Sequence, residues 1–420
     1  MEVFTTRNGV LHAEEVALPA IAEAVGTPVY VYSRARLVAQ ARAFREGLAQ
    51  VADPHLAFAV KANPNLAVLR VLGREGFGAD VVSGGELTRA LAADIAPADI
   101  LFSGVGKTSA ELVQGLEAGI GQFNIESEEE GRELAALAAA RGVTAPCALR
   151  VNPDVDARTH AKISTGKREN KFGVPLDRAG AVYAALASLE GLAMRGVAVH
   201  IGSQLSDLQP LVDAFGKLGA LIAQLREAGH PITHADLGGG LGVSYRHGER
   251  FPTAAEYGAM VARATAGWAV RLSFEPGRFI AAEAGVLLTR TIRTKRSGNG
   301  PPFVVVDAAM NDLARPALYG AWHEFEAVAP AGDRATAHIV GPICETGDTF
   351  AMDRNCDVLA AGDLAVFRTA GAYGATMASS YNSRGFVPEV LVDGDRFAVV
   401  ADRIAPAAIM AAERVPEWLR

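Results

Sequence analysis

LAFAVKANPNLAVLRVLGREGFGADVVS, residues 56–83, decides the fold. Its first seven residues are apolar and β-prone but for Lys61, its middle repeats apolar residues at helical spacing, and its last seven return to a short, mostly apolar run. That reads as strand, helix, strand, with Gly76 placed to end the helix in a left-handed cap. The unit recurs. Strand-like runs follow at DILFSG (99–104), QFNIES (122–127), CALRVNP (147–153), MRGVAVHIG (194–202), HADLGGG (234–240) and RLSFEPGR (271–278). Helical patterns lie between them, as in SAELVQGLEAG (109–119), EEEGRELAALAAARG (128–142) and QPLVDAFGKLGALIAQLREAG (209–229). Gly119, Gly142 and Gly229 close these three. Strands alternating with helices pair in parallel through right-handed crossovers. Eight such units in about 245 residues predict a (β/α)8 TIM-type barrel; an open doubly wound sheet is the rival, but eight strands in succession favour closure.

Beyond Arg278 the rhythm changes. GVLLTRTIRTKRS, PPFVVVDAAM, ATAHIVGPI, LAVFRTAGA and PEVLVDGDRFAVV are strand-like runs joined by turns, with little helix between them. They predict a second, β-rich domain, a small barrel or sandwich. TPVYVYS (27–33) near the N-terminus reads as a strand able to join it, and Ser33 as the N-cap of a helix reaching about Leu48. The expected division is therefore a barrel over 35–280, with 1–34 and 281–420 forming the β-rich domain. The fifth connection of the barrel, 154–193, contains the polar, basic stretch RTHAKISTGKRENKFGVP; connections this long are usually functional.

Composition excludes several classes. Forty basic and 47 acidic residues give a net charge of −7, the wrong sign for a nucleic-acid partner. No apolar run is long enough to span a membrane, and the N-terminus has no secretory pattern. Cys147, Cys344 and Cys356 are too scattered for a disulfide framework or zinc cluster, so a reduced, cytoplasmic chain is expected. His323 lacks the partner for a His-Glu-x-x-His helix, and no metal is predicted.

Polar residues interrupt the strand runs at their C-terminal ends: Lys61, Asp80, Ser83, Ser103, Asn124, Glu126, Arg150, Asn152, His200, Ser203, Gly238–Gly240, Glu275 and Arg278. In a (β/α)8 barrel that rim carries the site. Lys61 is either a lysine snorkelling to the barrel mouth or a desolvated amine able to form a Schiff base. GGGLG (238–242) is either a plain turn or a backbone cradle for a phosphate, which barrels place at late strands. Glu275 either pairs with Arg278 or holds a proton on a cofactor ring nitrogen. Amine, cradle and carboxylate together describe a pyridoxal phosphate pocket. GVGKTS (104–109) is no P-loop, because Leu101 stands where the first glycine belongs, and SEEE (127–130) reads as a capping box of Ser127 and Glu130.

FAVKAN (58–63), GADVVSGGEL (78–87), RVNPDVD (150–156), HAKISTG (160–166), KFG (171–173), HIGSQ (200–204), DLGGGLG (236–242), EPGR (275–278), MNDLARPALYGAWH (310–323), CETGD (344–348) and GAYG (371–374) together resemble the fold-type III pyridoxal-phosphate decarboxylases along nearly the whole chain. Thr346 and Asn170 stand where that family more often has serine. The resemblance implies that Lys61 binds pyridoxal 5′-phosphate covalently, and that His200 stacks on its ring with Asp80 and Ser203 nearby. Gly238, Gly239, Gly240, Gly277 and Tyr373 would take the phosphate, and Glu275 the ring nitrogen. Arg278, Arg315 and Tyr319 would hold the distal carboxylate of an amino-acid substrate. Glu345 would read its distal ammonium, with Tyr373 beside both ligands. Cys344, supplied by the second subunit of a homodimer, would return a proton to Cα. A glutamate at the ring nitrogen, where racemases of the same fold carry arginine, implies a strong electron sink and hence decarboxylation. A distal end lined by arginines and a carboxylate suits a substrate that itself ends in an amino acid: meso-2,6-diaminopimelate, decarboxylated at its D-centre to L-lysine. Lysine or ornithine in its place would leave buried arginine unpaired. The alternative is a related enzyme acting on arginine, ornithine or carboxynorspermidine.

Overall fold

The structure, a computed structural model, describes residues 2–157, 159–163, 165–296 and 298–419. Arg158 and Ser164, two positions of the long fifth connection, thus lie outside it. The chain divides into two compact units, one of residues 40–243 and 250–280, the other of 1–39, 244–249 and 281–420. The helix Arg34–Gly47 straddles the first boundary, and Ser244–Glu249, expected in the barrel, groups with the second unit.

In the first unit the expected barrel forms. Its strands are β1 (His55–Ala59), β2 (Gly78–Val81), β3 (Ile100–Phe102), β4 (Gln122–Ile125), β5 (Ala145–Asn152), β6 (Leu192–Ala198), β7 (His234–Asp236) and β8 (Arg271–Phe274). Each pairs in parallel with the next, and β8 returns to β1, so the sheet closes and has no free edge. The strands are buried on both faces, as continuous apolar runs require. Phe58, Phe102, Phe123 and Phe274 are fully enclosed, each contributing roughly 1.5–3 kcal/mol by leaving water. The helices start where a hydroxyl or amide caps them: Asn65 accepts from the Ala67 N–H, Ser83 from Glu86, and Thr108 and Thr253 form full capping boxes. Gly76, Gly119, Gly142 and Gly229 all have positive φ, as helix-ending glycines should. The fifth connection holds more structure than the sequence reading assigned: Val174–Pro175 pairs with the end of β5, and a helix runs from Leu176 to Ala187.

The second unit is built on a mixed sheet. Its longest strand, Gly285–Lys295, pairs antiparallel with Val29–Ser33, Phe303–Val306 and Leu364–Phe367. Val29–Ser33 in turn takes the hairpin Glu389–Asp393 and Arg396–Ala401 alongside it. Val29, Val31, Val286, Leu288, Val366, Val390 and Val392 form the core, closed by Leu18 and Ile21 of the helix Leu18–Val25. Ser33 caps the helix that follows, its Oγ accepting from the Arg36 N–H at 3.0 Å.

Several features of this unit escape the sequence reading, the helix Leu18–Val25 and the strand Phe325–Ala327 among them. The hairpin Phe4–Arg7 and Val10–Ala13 turns at Asn8-Gly9, both at positive φ, the pair a tight two-residue turn favours. Thr349–Asp357 is an edge strand whose exposed polar residues, Asp353 and Asn355 among them, look like loop. Arg315–Tyr319 is a short helix. Among the described residues no helix is long and apolar enough to cross a membrane.

Candidate active site

Strand ends bring one group of the expected residues together at the barrel mouth. Lys61 follows β1 in a single 3-10 turn, Val60–Ala62, and its Nζ donates to Asp80 Oδ2 on β2 at 2.8 Å. Asp80 is fully buried and its second oxygen has no hydrogen-bond partner, leaving acceptor capacity beside the amine. Next to this pair lies a cavity of about 430 Å³, lined by Lys61, Ser103, Asn124, Arg150, Thr165, Phe172, His200, Asp236 and Glu275. Its size suits one small cofactor.

Glu275 and Asp236 form the acidic side of that cavity. Glu275 Oε1 accepts from Ser103 Oγ at 3.3 Å, while Asn124 Nδ2 donates to both Ser103 Oγ (3.0 Å) and Asp236 Oδ2 (2.8 Å). Burial, with the carboxylates of Asp236 and Asp80 nearby, pushes the Glu275 carboxyl well above its ordinary range. Burial raises Asp236 as well, and the two acids are hydrogen-bonded to each other. Both carboxyls are thus easier to protonate than free ones, Glu275 the more strongly. Asp236, at the end of β7, was not among the residues singled out in the sequence; its position before the glycine triplet was the available signal.

His200 is half-buried, and loss of hydration, then the charges of Arg150 and Lys61, hold its imidazole well below the usual histidine range. The neutral ring is oriented by Gly239, whose N–H donates to Nδ1 at 3.2 Å. The Gly238 N–H goes to Asp236 Oδ1 at 2.9 Å. Gly238 and Gly240 have φ of +65° and +122°, where L side chains are strained, and a Cβ on Gly238 would lie 2.7 Å from His200 Nδ1. Gly238 and Gly240 are thus fixed as glycine by backbone conformation, and Gly239 by the Glu275 carbonyl oxygen, which a Cβ would meet at 2.3 Å. Arg278 donates to Ser203 Oγ through Nε (3.3 Å) and Nη2 (3.2 Å), and Gly277 packs against Ala59 and Ala62.

The remaining rim residues build the wall. Arg150 donates to Glu126 Oε1 at 2.6 Å, and Glu126 Oε2 accepts from the Gly173 N–H at 2.8 Å, tying the KFG segment to the barrel. Ser83 is spent as a helix cap. The two segments set aside as decoys meet: Lys107 of GVGKTS is buried, with Nζ donating to Glu130 Oε1 (2.7 Å) and to the carbonyls of Gly104 and Asn124. Ser127 caps its helix through the Glu130 N–H, but the Glu130 carboxylate turns to Lys107 and the Glu126 N–H, so the expected capping box is only half formed.

The other expected residues belong to the sheet unit. Arg315 is buried at the start of its helix, with Tyr319 one turn on. The guanidinium lies 4.3 Å from the centre of the Tyr245 ring, and Nη1 donates to His323 Nε2 at 2.9 Å. Cys344 and Glu345 are exposed on a loop pinned by Asp348, which accepts from the Ile343 and Met310 N–H groups. The Cys344 N–H donates to Asn382 Oδ1 at 3.0 Å. Tyr373 has φ of +56°, a conformation that costs a non-glycine residue about 1–3 kcal/mol and is typical of functional positions.

Amine, buried acid, neutral imidazole and glycine turn on a closed barrel fit pyridoxal phosphate, and define a class: the barrel-type pyridoxal-dependent enzymes. Residues 34–282 match the family profile described as pyridoxal-dependent decarboxylase, pyridoxal binding domain. The chain is 51% identical over 419 residues to the diaminopimelate decarboxylase of Zymomonas mobilis, covering 99% of both chains, and 53% identical over 398 residues to that of Pseudomonas aeruginosa, covering 94% and 95%. It superposes on the crystal structure of diaminopimelate decarboxylase from M. jannaschii in complex with L-lysine with a TM-score of 0.95, at 34% identity and full coverage of both. The chain belongs to the diaminopimelate decarboxylase family, and its cofactor is pyridoxal phosphate.

Proposed function

We propose that the protein decarboxylates meso-2,6-diaminopimelate at its D-centre, giving L-lysine and CO2, as a cytoplasmic homodimer with shared active sites. The observation that carries this reading is the pairing of Lys61 with buried Asp80 beside Glu275, whose carboxyl burial pushes well above its ordinary range, in a chain about half identical to diaminopimelate decarboxylases end to end.

Bound pyridoxal phosphate supplies the electron sink that accepts the pair left when the bond to CO2 breaks. Lys61 would hold it covalently, with Asp80 keeping the amine positioned. Glu275 would pair with the ring nitrogen and favour a proton there. The neutral His200, oriented by the Gly239 N–H, would lie against the ring. Gly238 and Gly239 use their N–H groups on Asp236 and His200. Their part in the phosphate cradle is therefore shape, and Gly240, Gly277 and Tyr373 make its contacts, with Ser203 and Arg278 alongside. Arg278, Arg315 and Tyr319 take the distal carboxylate, and Glu345 the distal ammonium. Cys344 of the second subunit transfers its Sγ proton to the carbon that lost CO2, and the thiolate recovers a proton from water.

A panel of substrates tests the assignment. The holoenzyme should turn over meso-diaminopimelate and leave L-lysine, L-ornithine and L-arginine essentially untouched, because none of the three offers a distal carboxylate to Arg315. Comparable kcat/KM for ornithine or arginine would overturn it.

A further inference from the structure

We propose that His323 is the positioning residue that aims Arg315 and so sets affinity for the distal carboxylate; this rests on the reading of Arg315 given above. His323 is 3% exposed and bridges two groups of fixed polarity. An arginine can only donate, so His323 Nε2 must be the acceptor of the 2.9 Å bond from Arg315 Nη1. A carbonyl can only accept, so His323 Nδ1 must carry the hydrogen in its 2.8 Å contact with the Arg368 carbonyl. The two contacts together select the neutral Nδ1–H tautomer, with its lone pair aimed at the guanidinium. Arg354 Nη1 donates to the His323 carbonyl at 2.9 Å and fixes the backbone beneath the ring. On the other side Tyr245 presents its face to the guanidinium at 4.3 Å and meets the imidazole nearly edge-on, with an interplanar angle of 80°. A neutral acceptor and an aromatic face orient the guanidinium without either of them bringing a negative charge to it. A carboxylate in place of His323 would instead compete with the substrate carboxylate for that charge.

His323→Phe keeps the volume and removes the acceptor. It should raise KM for meso-diaminopimelate roughly ten-fold, with kcat within about two-fold and cofactor content unchanged. L-Lysine retains the L-amino-acid end of the substrate, so its affinity for the holoenzyme, measured by calorimetry, should weaken by a similar factor. His323→Gln, whose Oε1 reaches the place of Nε2, should recover most of both losses. His323→Asn, which keeps the donor to Arg368 but falls short of Arg315, should behave like His323→Phe and serves if that variant does not fold. Arg315→Met in the same assays separates the two ideas. If Arg315→Met weakens lysine binding and raises KM while His323→Phe and His323→Asn do neither, orientation by His323 is wrong. If Arg315→Met itself changes nothing, the reading of Arg315 has failed and the proposal falls with it. Equal loss in the Gln and Phe variants, with cofactor loss in both, would reduce His323 to a packing residue.

Discussion

A mixture of Lys61→Ala and Cys344→Ala homodimers, dissociated and reassociated, should recover about a quarter of wild-type activity from two parents that have almost none. Lys61 stands at the mouth of the barrel, on a turn after β1, whereas Cys344 stands on an exposed loop of the sheet unit, its backbone pinned to Asn382 and Asp348. An exposed thiol on a rigid loop suits a residue meant for a second copy of the chain. In a two-fold dimer with shared sites, each heterodimer has one site carrying both lesions and one carrying neither. Random pairing makes half the dimers heterodimers, and half of their sites are intact. Were both residues drawn from one chain, every site would keep one lesion and mixing would restore nothing. No recovery, with heterodimers shown to form by mass spectrometry, would remove the shared site while leaving the chemistry of Lys61 intact.

Arg315→Met should lower kcat/KM for meso-diaminopimelate by about 2–5 kcal/mol, or some thirty-fold to several-thousand-fold, the range for breaking a desolvated charge pair. The cost is high because Arg315 is buried: methionine fills the space but removes one of the two arginines assigned to the substrate carboxylate. The visible absorbance of the bound cofactor should not change, since neither Arg315 nor His323 and Tyr245, which it contacts, is assigned to hold it. Steady-state kinetics and an absorbance spectrum on one preparation check both statements. Wild-type turnover by the variant would take Arg315 out of the substrate site.

The barrel was legible because its signal is periodic and repeated: eight apolar runs, helices with caps before them and glycines after. The rim residues were legible for the same reason, since Lys61, Asp80 and Glu275 are polar groups where an apolar strand ends. Asp236 was missed because one acid before a glycine turn looks like ordinary turn chemistry; only its contacts with Asn124, Gly238 and Glu275 set it apart. Tyr245 and His323 are 78 positions apart in the sequence, and no local pattern joins them. His323 was weighed only as a metal ligand, and its bonds to Arg315 and to the Arg368 carbonyl become visible only once the sheet unit is folded. The edge strand Thr349–Asp357 was hidden by its own solvent-facing polar residues, which edge strands carry to discourage pairing with other chains. Long-range pairing, unlike periodicity, leaves little trace in any one window of residues.

The most direct test follows the carbon that leaves. meso-Diaminopimelate labelled with carbon-13 in the carboxyl group of its D-centre is incubated with the holoenzyme, and the gas and the amino-acid product are analysed by mass spectrometry. All of the label should appear in CO2, with one equivalent of unlabelled L-lysine. Label retained in lysine, or no CO2 released, would contradict it.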